Sequence, residues 1–330
     1  MDLFTATALG ILAAGFFVGI VVGLTGMGGG ALMTPALLFL APHQAASAVV
    51  AADLTAAAVY KSGGAIVHSR EGSPNLQLAK WLILGSVPMA LLGPYVLKTF
   101  TDPEDLDQTL KFAIGIALLL AAGTYALRLY INLRQLRAGG HVGDENPRIR
   151  PVPTLLVGAL GGLLVGITSV GSGSVIMVAL LMLYPGLSAV KLVGTDLVQA
   201  VPLVLAAAIS NIAIHGLDWE LLIPLLVGSI PGTILGSKIA PKVPQSFIRR
   251  AIVVVLTMSG VALLGKAGWE PFGKDGAPYF IAATGIAMVV LVPLVWGVLR
   301  KGQGLPMFGA PYVADLEGTS KTDRTGTPSA

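Results

Sequence analysis

Long apolar stretches alternate with short polar ones along the whole chain. Apolar runs fall at 4–25, 44–67, 77–98, 109–131, 152–170, 188–213, 220–240, 246–266 and 277–300. Each is about twenty residues, the length that carries an α-helix across a hydrocarbon core. Two shorter pieces, 28–41 and 172–184, are split from the runs before them by the clusters Thr25-Gly-Met-Gly-Gly-Gly30 and Val170-Gly171-Ser172-Gly173-Ser174. The pattern predicts an all-α, polytopic transmembrane bundle. The Gly-broken short pieces either cross the bilayer or re-enter it. A polar, Arg-rich stretch covers 132–150. The tail from 302 to 330 is rich in Gly, Pro, Ser and Thr and is expected to be disordered.

Composition agrees with that pattern. Of 330 residues, 54% are hydrophobic and only 12% charged, and the mean hydropathy is +0.80. Soluble domains carry about 25% charged residues. Lys and Arg number 21 against 17 acidic residues, a net charge of +4. This excess does not signal nucleic acid, because basic residues of membrane proteins gather in cytoplasmic loops. Cysteine is absent, which removes disulfides, a thiolate nucleophile and cysteine-ligated metal. No cofactor and no metal is expected, and the partners expected are a small anion, a coupling ion and the lipid bilayer. No Lys or Arg precedes Lys61, so the basic n-region of a cleaved signal peptide is missing and the first segment is expected to be retained.

The halves of the chain repeat each other. A shift of 143 positions places Gly23-Leu-Thr-Gly-Met-Gly-Gly-Gly30 on Gly166-Ile-Thr-Ser-Val-Gly-Ser-Gly173, Pro42 on Pro185, Asp53 on Asp196, and Gly85-Ser-Val-Pro88 on Gly228-Ser-Ile-Pro231. Residues 15–93 and 158–236 share 26 identities in 79 positions without a gap. The predicted organisation is a first membrane repeat (1–131), a cytoplasmic linker (132–150), a second repeat (151–266), an extra transmembrane segment (267–301) and a cytoplasmic tail (302–330).

Loop charge sets the expected orientation. Arg134, Arg137, Arg148 and Arg150 mark the linker as cytoplasmic, and so do Lys238, Lys242, Arg249 and Arg250, then Arg300 and Lys301, for their own loops. Asp102, Glu104, Asp105 and Asp107 place the 99–108 loop outside. The N-terminus then lies outside, the C-terminus in the cytoplasm, and the repeats are inverted, a construction common among secondary transporters.

Two kinds of feature could carry chemistry. The first is the pair of breaks. Glycine lets a ligand approach the backbone, and a helix starting after such a turn aims amides and the positive end of its dipole into the gap. Candidate anion ligands are therefore Thr25, Gly28, Gly29, Gly30, Thr168, Ser169, Gly171, Ser172, Gly173 and Ser174. The competing reading is close helix packing, since small residues also line membrane helix interfaces. The second is the pair of carboxylates at mid-segment, Asp53 and Asp196. Intramembrane carboxylates are costly and point to function. Each could hold a coupling proton, bind a cation, or pin its turn by accepting amide bonds. Lys61 is a candidate mobile counter-charge, although a position towards the end of its segment would also let it snorkel. Gln199 is a candidate polar pore residue beside Asp196.

The stretch Gly19-Ile-Val-Val-Gly-Leu-Thr-Gly-Met-Gly-Gly-Gly-Ala-Leu-Met-Thr-Pro35, with Asp53, Gly166-Ile-Thr-Ser-Val-Gly-Ser-Gly173 and Gly194-Thr-Asp196, resembles the sulfite exporter TauE/SafE family of membrane transporters. The resemblance extends over about residues 5–300. It implies transport of sulfur oxyanions such as sulfite or thiosulfate, or of organosulfonates. The first half has Ala51-Ala52-Asp53 where the second has Gly194-Thr195-Asp196, so the two carboxylates need not be equivalent.

The leading expectation is thus a secondary transporter for a small anion in the plasma membrane, coupled to protons or another ion. A passive anion channel is one alternative. A membrane phosphatase-type enzyme is another, disfavoured because Arg clamps are absent from mid-segment and Arg128 falls near a segment end.

Overall fold

A computed structural model of the protein describes residues 6–25, 29–70, 74–137, 147–187, 189–239, 245–269 and 273–301. The expected tail, residues 138–146 of the expected linker and Gly28 lie outside the described residues. Among the described residues there are eleven helices and no strand. They are α1 (Ala6–Thr25), α2 (Gly30–Leu40), α3 (Ala46–Arg70), α4 (Leu76–Phe100), α5 (Leu106–Arg137), α6 (Pro151–Thr168), α7 (Val175–Leu183), α8 (Ala189–His215), α9 (Trp219–Ile239), α10 (Gln245–Lys266) and α11 (Gly273–Lys301). Seven contain stretches long and apolar enough to cross a membrane: α1, α4, α5, α6, α8, α9 and α11. The helices α2 and α7 reach only about 16 and 14 Å at 1.5 Å per residue. Neither can cross a core of about 30 Å unaided.

Helix ends inside an apolar bundle need partners, because lipid supplies none. Asp107 Oδ1 accepts the Ala46 amide at the start of α3 (2.8 Å). The Asn75 side chain caps α4 through the Leu78 amide (3.0 Å), and Asp218 does the same for α9 through Glu220 (2.8 Å). At the far end of α2, Lys266 Nζ donates to the Leu38 carbonyl (3.2 Å) and sits 4.4 Å over the Phe39 ring.

The helices pair across the two halves rather than within them: α1 on α9, α4 on α6, α3 on α8 and α5 on α10. The 143-residue shift carries α1 onto α6 and α4 onto α9, so it exchanges the first two interfaces and returns the other two to themselves. Contacts follow the same rule. A Cβ built on Gly19 would lie 2.6 Å from the Ser229 carbonyl oxygen, and one on the equivalent Gly162 would strike that of the equivalent Ser86. Gly15, Gly19 and Gly23 of α1 face α9 at a spacing of four, and Gly158, Gly162 and Gly166 of α6 face α4 in the same way. In a bilayer no hydrophobic force drives helices together, so close approach at small residues supplies the packing energy. The packing reading of the small residues therefore holds for these two interfaces. The last helix, α11, packs on α10 and leaves most of its surface outward, with Ile286 and Val298 exposed.

These contacts make a test. Gly19→Val and Gly162→Val are each expected to abolish a monodisperse, folded protein in detergent. Gly123→Ala in α5, where an added Cβ meets nothing within 4 Å, should keep or raise the melting temperature, since Gly costs about 1 kcal/mol relative to Ala within a helix. Size-exclusion profiles and thermal melts of the three variants check this. Wild-type stability in both valine variants would contradict the interfaces.

Candidate functional site

The two breaks meet. A Cβ on Gly30, the first residue of α2, would collide with the backbone and hydroxyl of Ser169, the residue that ends α6. Ser169 holds a left-handed backbone (φ 61°), a conformation non-glycine residues resist and that recurs where a side chain must be aimed. Its amide still closes the helix on the Val165 carbonyl (2.8 Å), while its hydroxyl donates to Asp53 Oδ2 (2.8 Å). Thr34 of α2 donates to the same oxygen (2.5 Å). Asp53, on α3, is fully buried. One carboxylate oxygen thus ties α2 and α3 to the break of the second half.

Of the three roles open to Asp53, pinning by turn amides finds no amide donor among the described residues. Hydroxyls hold the carboxylate, one from each half. The amides at the start of α7 are also not free. Those of Ser174, Val175 and Ile176 all point to the Gly171 carbonyl (3.4, 3.0 and 3.4 Å), and Gly171 adopts φ 123° to present it. The Gly29 carbonyl likewise takes the Leu32 and Met33 amides at the start of α2 (2.9 and 2.8 Å). The open helix N-terminus expected at α7 is therefore capped by its own backbone. The amides of Ser172 and Gly173 make no backbone hydrogen bond among the described residues.

Lys61 does not snorkel. Because α3 continues to Arg70, Lys61 lies well inside the helix, and it is 5% exposed. Its Nζ donates to Ser172 Oγ in the second break (2.6 Å). It lies within electrostatic reach of both Asp196 and Asp53, yet no ion pair joins it to either; among the described residues it is Lys111 and Asp107, at the periphery, that pair. Asp196, on α8, is buried and accepts Gln199 Nε2 at Oδ1 (3.0 Å). Lys61 and Arg128 both act on it electrostatically. Arg128 closes the apolar span Leu106–Arg128, at its end as expected, although α5 itself runs on to Arg137 and the residue is only 8% exposed.

The remaining candidates sort by where their polar atoms go. Thr25, the last residue of α1, donates back to the Val21 carbonyl (2.8 Å), and Thr168 donates to that of Leu164 (2.6 Å). Gly29 is buried against the Tyr60 hydroxyl, 2.6 Å from where a Cβ would stand. Gly171, Ser172, Gly173 and Ser174 are all buried. Asp53 Oδ1, Ser174 Oγ and Gln199 Oε1 are buried without a hydrogen-bond partner. Such atoms are uncommon in native interiors. Sequence reasoning did not single out Thr34, Tyr60 or the depth of Arg128. Thr34 carried one signal: it is the only hydroxyl in the apolar α2 sequence Gly30–Leu40.

A bundle of apolar spans closing on a buried, partly unsatisfied polar centre is the architecture of a multi-pass membrane transporter. The model of the sulfite exporter TauE/SafE family matches residues 11–263, and the chain belongs to that family. It is 37% identical over 263 residues to the "Probable membrane transporter protein YjnA" of Bacillus subtilis (strain 168), covering 78% of this chain and 100% of that protein. It is 28% identical over 256 residues to the "Probable membrane transporter protein YdhB" of the same strain, covering 77% and 99%. No solved structure matches the chain. The helix α11 begins after the family match ends.

The Asp53 tie yields a prediction. Thr34→Val keeps the side-chain shape and removes one donor to a buried carboxylate, and hydrogen bonds to charged groups contribute about 1.5–3 kcal/mol. A lowered melting temperature is expected, and much less further loss when Thr34→Val is added to Asp53→Asn. Additive losses in that double-mutant cycle would show that the two side chains do not interact.

Proposed function

We propose that the chain carries a small anion, a sulfur oxyanion or organosulfonate such as sulfite, across the plasma membrane, with the anion held where the two breaks meet. The observation that carries this reading is the placement of a buried ammonium, Lys61, on Ser172 of the second break. An anion arriving there meets one positive charge, the Ser172 and Ser174 hydroxyls, and glycine positions where no side chain blocks the backbone. The family's name supports the choice of substrate class. Movement is coupled to a proton or another ion through Asp53 and Asp196. The repeats lie inverted in the membrane, with the N-terminus outside and the C-terminus cytoplasmic. The exchange of helix partners between the halves supports such an arrangement, as does the loop charge. The domain limits follow: membrane repeats at 1–131 and 151–266, a cytoplasmic linker, and an added segment at 267–301.

Purified protein in liposomes tests the reading. Saturable flux of sulfite or methanesulfonate, accelerated by a proton gradient, is expected. Non-saturating flux indifferent to the gradient would make the protein a passive channel, and no flux of either anion would overturn the assignment. Gly171→Val adds a prediction on binding. At φ 123° a β-branched residue is strained, so the break must rearrange, and anion affinity is expected to fall at least tenfold. Unchanged affinity would move the site away from the break.

A further inference from the structure

The geometry points to a division of labour between the two buried carboxylates: Lys61 is the counter-charge that holds the anion, and Asp196, not Asp53, is the group whose protonation releases Lys61 to do so. This rests on the transport reading above and concerns the same site.

Charge sets the problem. Lys61, Asp53 and Asp196, all ionised, carry one net negative charge, which Arg128, also acting on Asp196, offsets in part. In a poorly screened interior that charge acts strongly on an arriving anion. One proton on either carboxylate brings the trio to neutrality, and the anion then competes with a single carboxylate for Lys61. An ammonium has three donors, and the one hydrogen bond found for Lys61 goes to Ser172. It is therefore neither locked in an ion pair nor saturated.

The two carboxylates differ in what a proton would disturb. Asp53 Oδ2 takes both Thr34 and Ser169, and through them it holds α2 against the second break. Its Oδ1 makes no hydrogen bond, so a proton there has no partner already in place. Asp196 is held by Gln199, three residues along the same helix. Gln199 Oε1 is buried and unpartnered. A carboxylate accepts from the amide nitrogen, and a carboxylic acid donates to the amide oxygen; a turn of the Gln199 amide serves either state. Asp196 can thus gain and lose a proton without releasing any contact between helices. The charged groups acting on it are Lys61 from α3 and Arg128 from α5. The helices α4, α6 and α7, which also pack on α8, bring no titratable group to it among the described residues. The proton is taken from solvent onto the Asp196 carboxylate and leaves with the anion, one for one.

The test uses the full-length protein with methanesulfonate and sulfite. Methanesulfonate keeps a single charge across the pH range, so its pH dependence belongs to the protein. Thermal shifts in detergent read binding, and liposome flux with and without a pH gradient reads coupling. For the wild type, the methanesulfonate-induced shift should grow as pH falls, and flux should rise with a gradient directed along the anion's movement. Asp196→Asn is expected to bind at every pH and to lose at least nine-tenths of the gradient's acceleration. Lys61→Gln should lose the ligand-induced shift at every pH, with Lys61→Arg restoring part of it. Asp53→Asn should melt at a lower temperature, and its surviving flux should keep the wild-type pH midpoint. Gradient-driven flux persisting in Asp196→Asn, or wild-type binding in Lys61→Gln, overturns the inference while leaving the transport reading intact. A wild type that neither binds nor moves either anion overturns both.

Discussion

Direct backbone contact between glycine-faced helices is the constraint on which the rest of the structure depends. Lipid tails are as apolar as leucine, so burial of apolar surface cannot hold these helices together, and packing at short range must. At Gly15, Gly19 and Gly23 the backbone of α1 rests on α9, and at Gly158, Gly162 and Gly166 α6 rests on α4. The last glycine of each series lies two residues before the Thr25 or Thr168 that ends its helix. Gly166 is held further by Asn211 of α8, which donates to its carbonyl (2.9 Å). Each break therefore departs from a helix end that packing has already fixed. That is why Ser169 can be delivered against Gly30 with its hydroxyl on Asp53.

The scaffold repeats, and the chemistry does not. The 143-residue shift that superposes the glycine interfaces places Thr34 on Met177, Ser169 on Gly26, Lys61 on Val204 and Gln199 on Ala56. The two carboxylates survive the shift, as do Thr25 and Thr168, but the carboxylates have acquired different partners. A duplicated fold with duplicated chemistry would present two ammonium groups where its halves meet. This chain presents one, from the first half, seated on a hydroxyl of the second. A buried charge is tolerated only with compensating groups nearby, and Lys61 has two carboxylates within electrostatic reach, so one of them can be neutralised without leaving it uncompensated.

Much of this was legible along the chain. Ten of the eleven helices begin and end within a few residues of the apolar runs, because length and apolar content dictate a span. The repeat, both breaks and both carboxylates are plain in the residues. What was not legible is pairing at a distance. Ser169 and Asp53 are 116 positions apart, and nothing local says that the hydroxyl of one half serves the carboxylate of the other. Arg128 stands at the end of its apolar span, as the sequence implies, but its burial was not visible there, because α5 runs on to Arg137. For Lys61, named as a counter-charge, the competing snorkelling reading falls because the residue is buried and α3 continues to Arg70. The capping of α7 is a backbone event at Gly171, invisible to side-chain reasoning. The four-residue glycine spacing was readable and names the interfaces directly.

The capping of α7 also changes what kind of anion site the centre can be. In the familiar arrangement, free amides and the helix dipole attract the ligand, and no full charge is needed. Here the first amides of α7 are already committed to the Gly171 carbonyl, and two of those of α2 to the Gly29 carbonyl. What remains to attract an anion is the Lys61 ammonium, assisted by hydroxyls and by the Ser172 and Gly173 amides of the break itself. Attraction that comes from a dipole is constant, because a helix cannot be switched off by a proton. Attraction that comes from one ammonium flanked by two carboxylates is conditional on how many of those carboxylates are charged. By withdrawing its amides, the fold makes the state of the aspartates decide whether an anion is held.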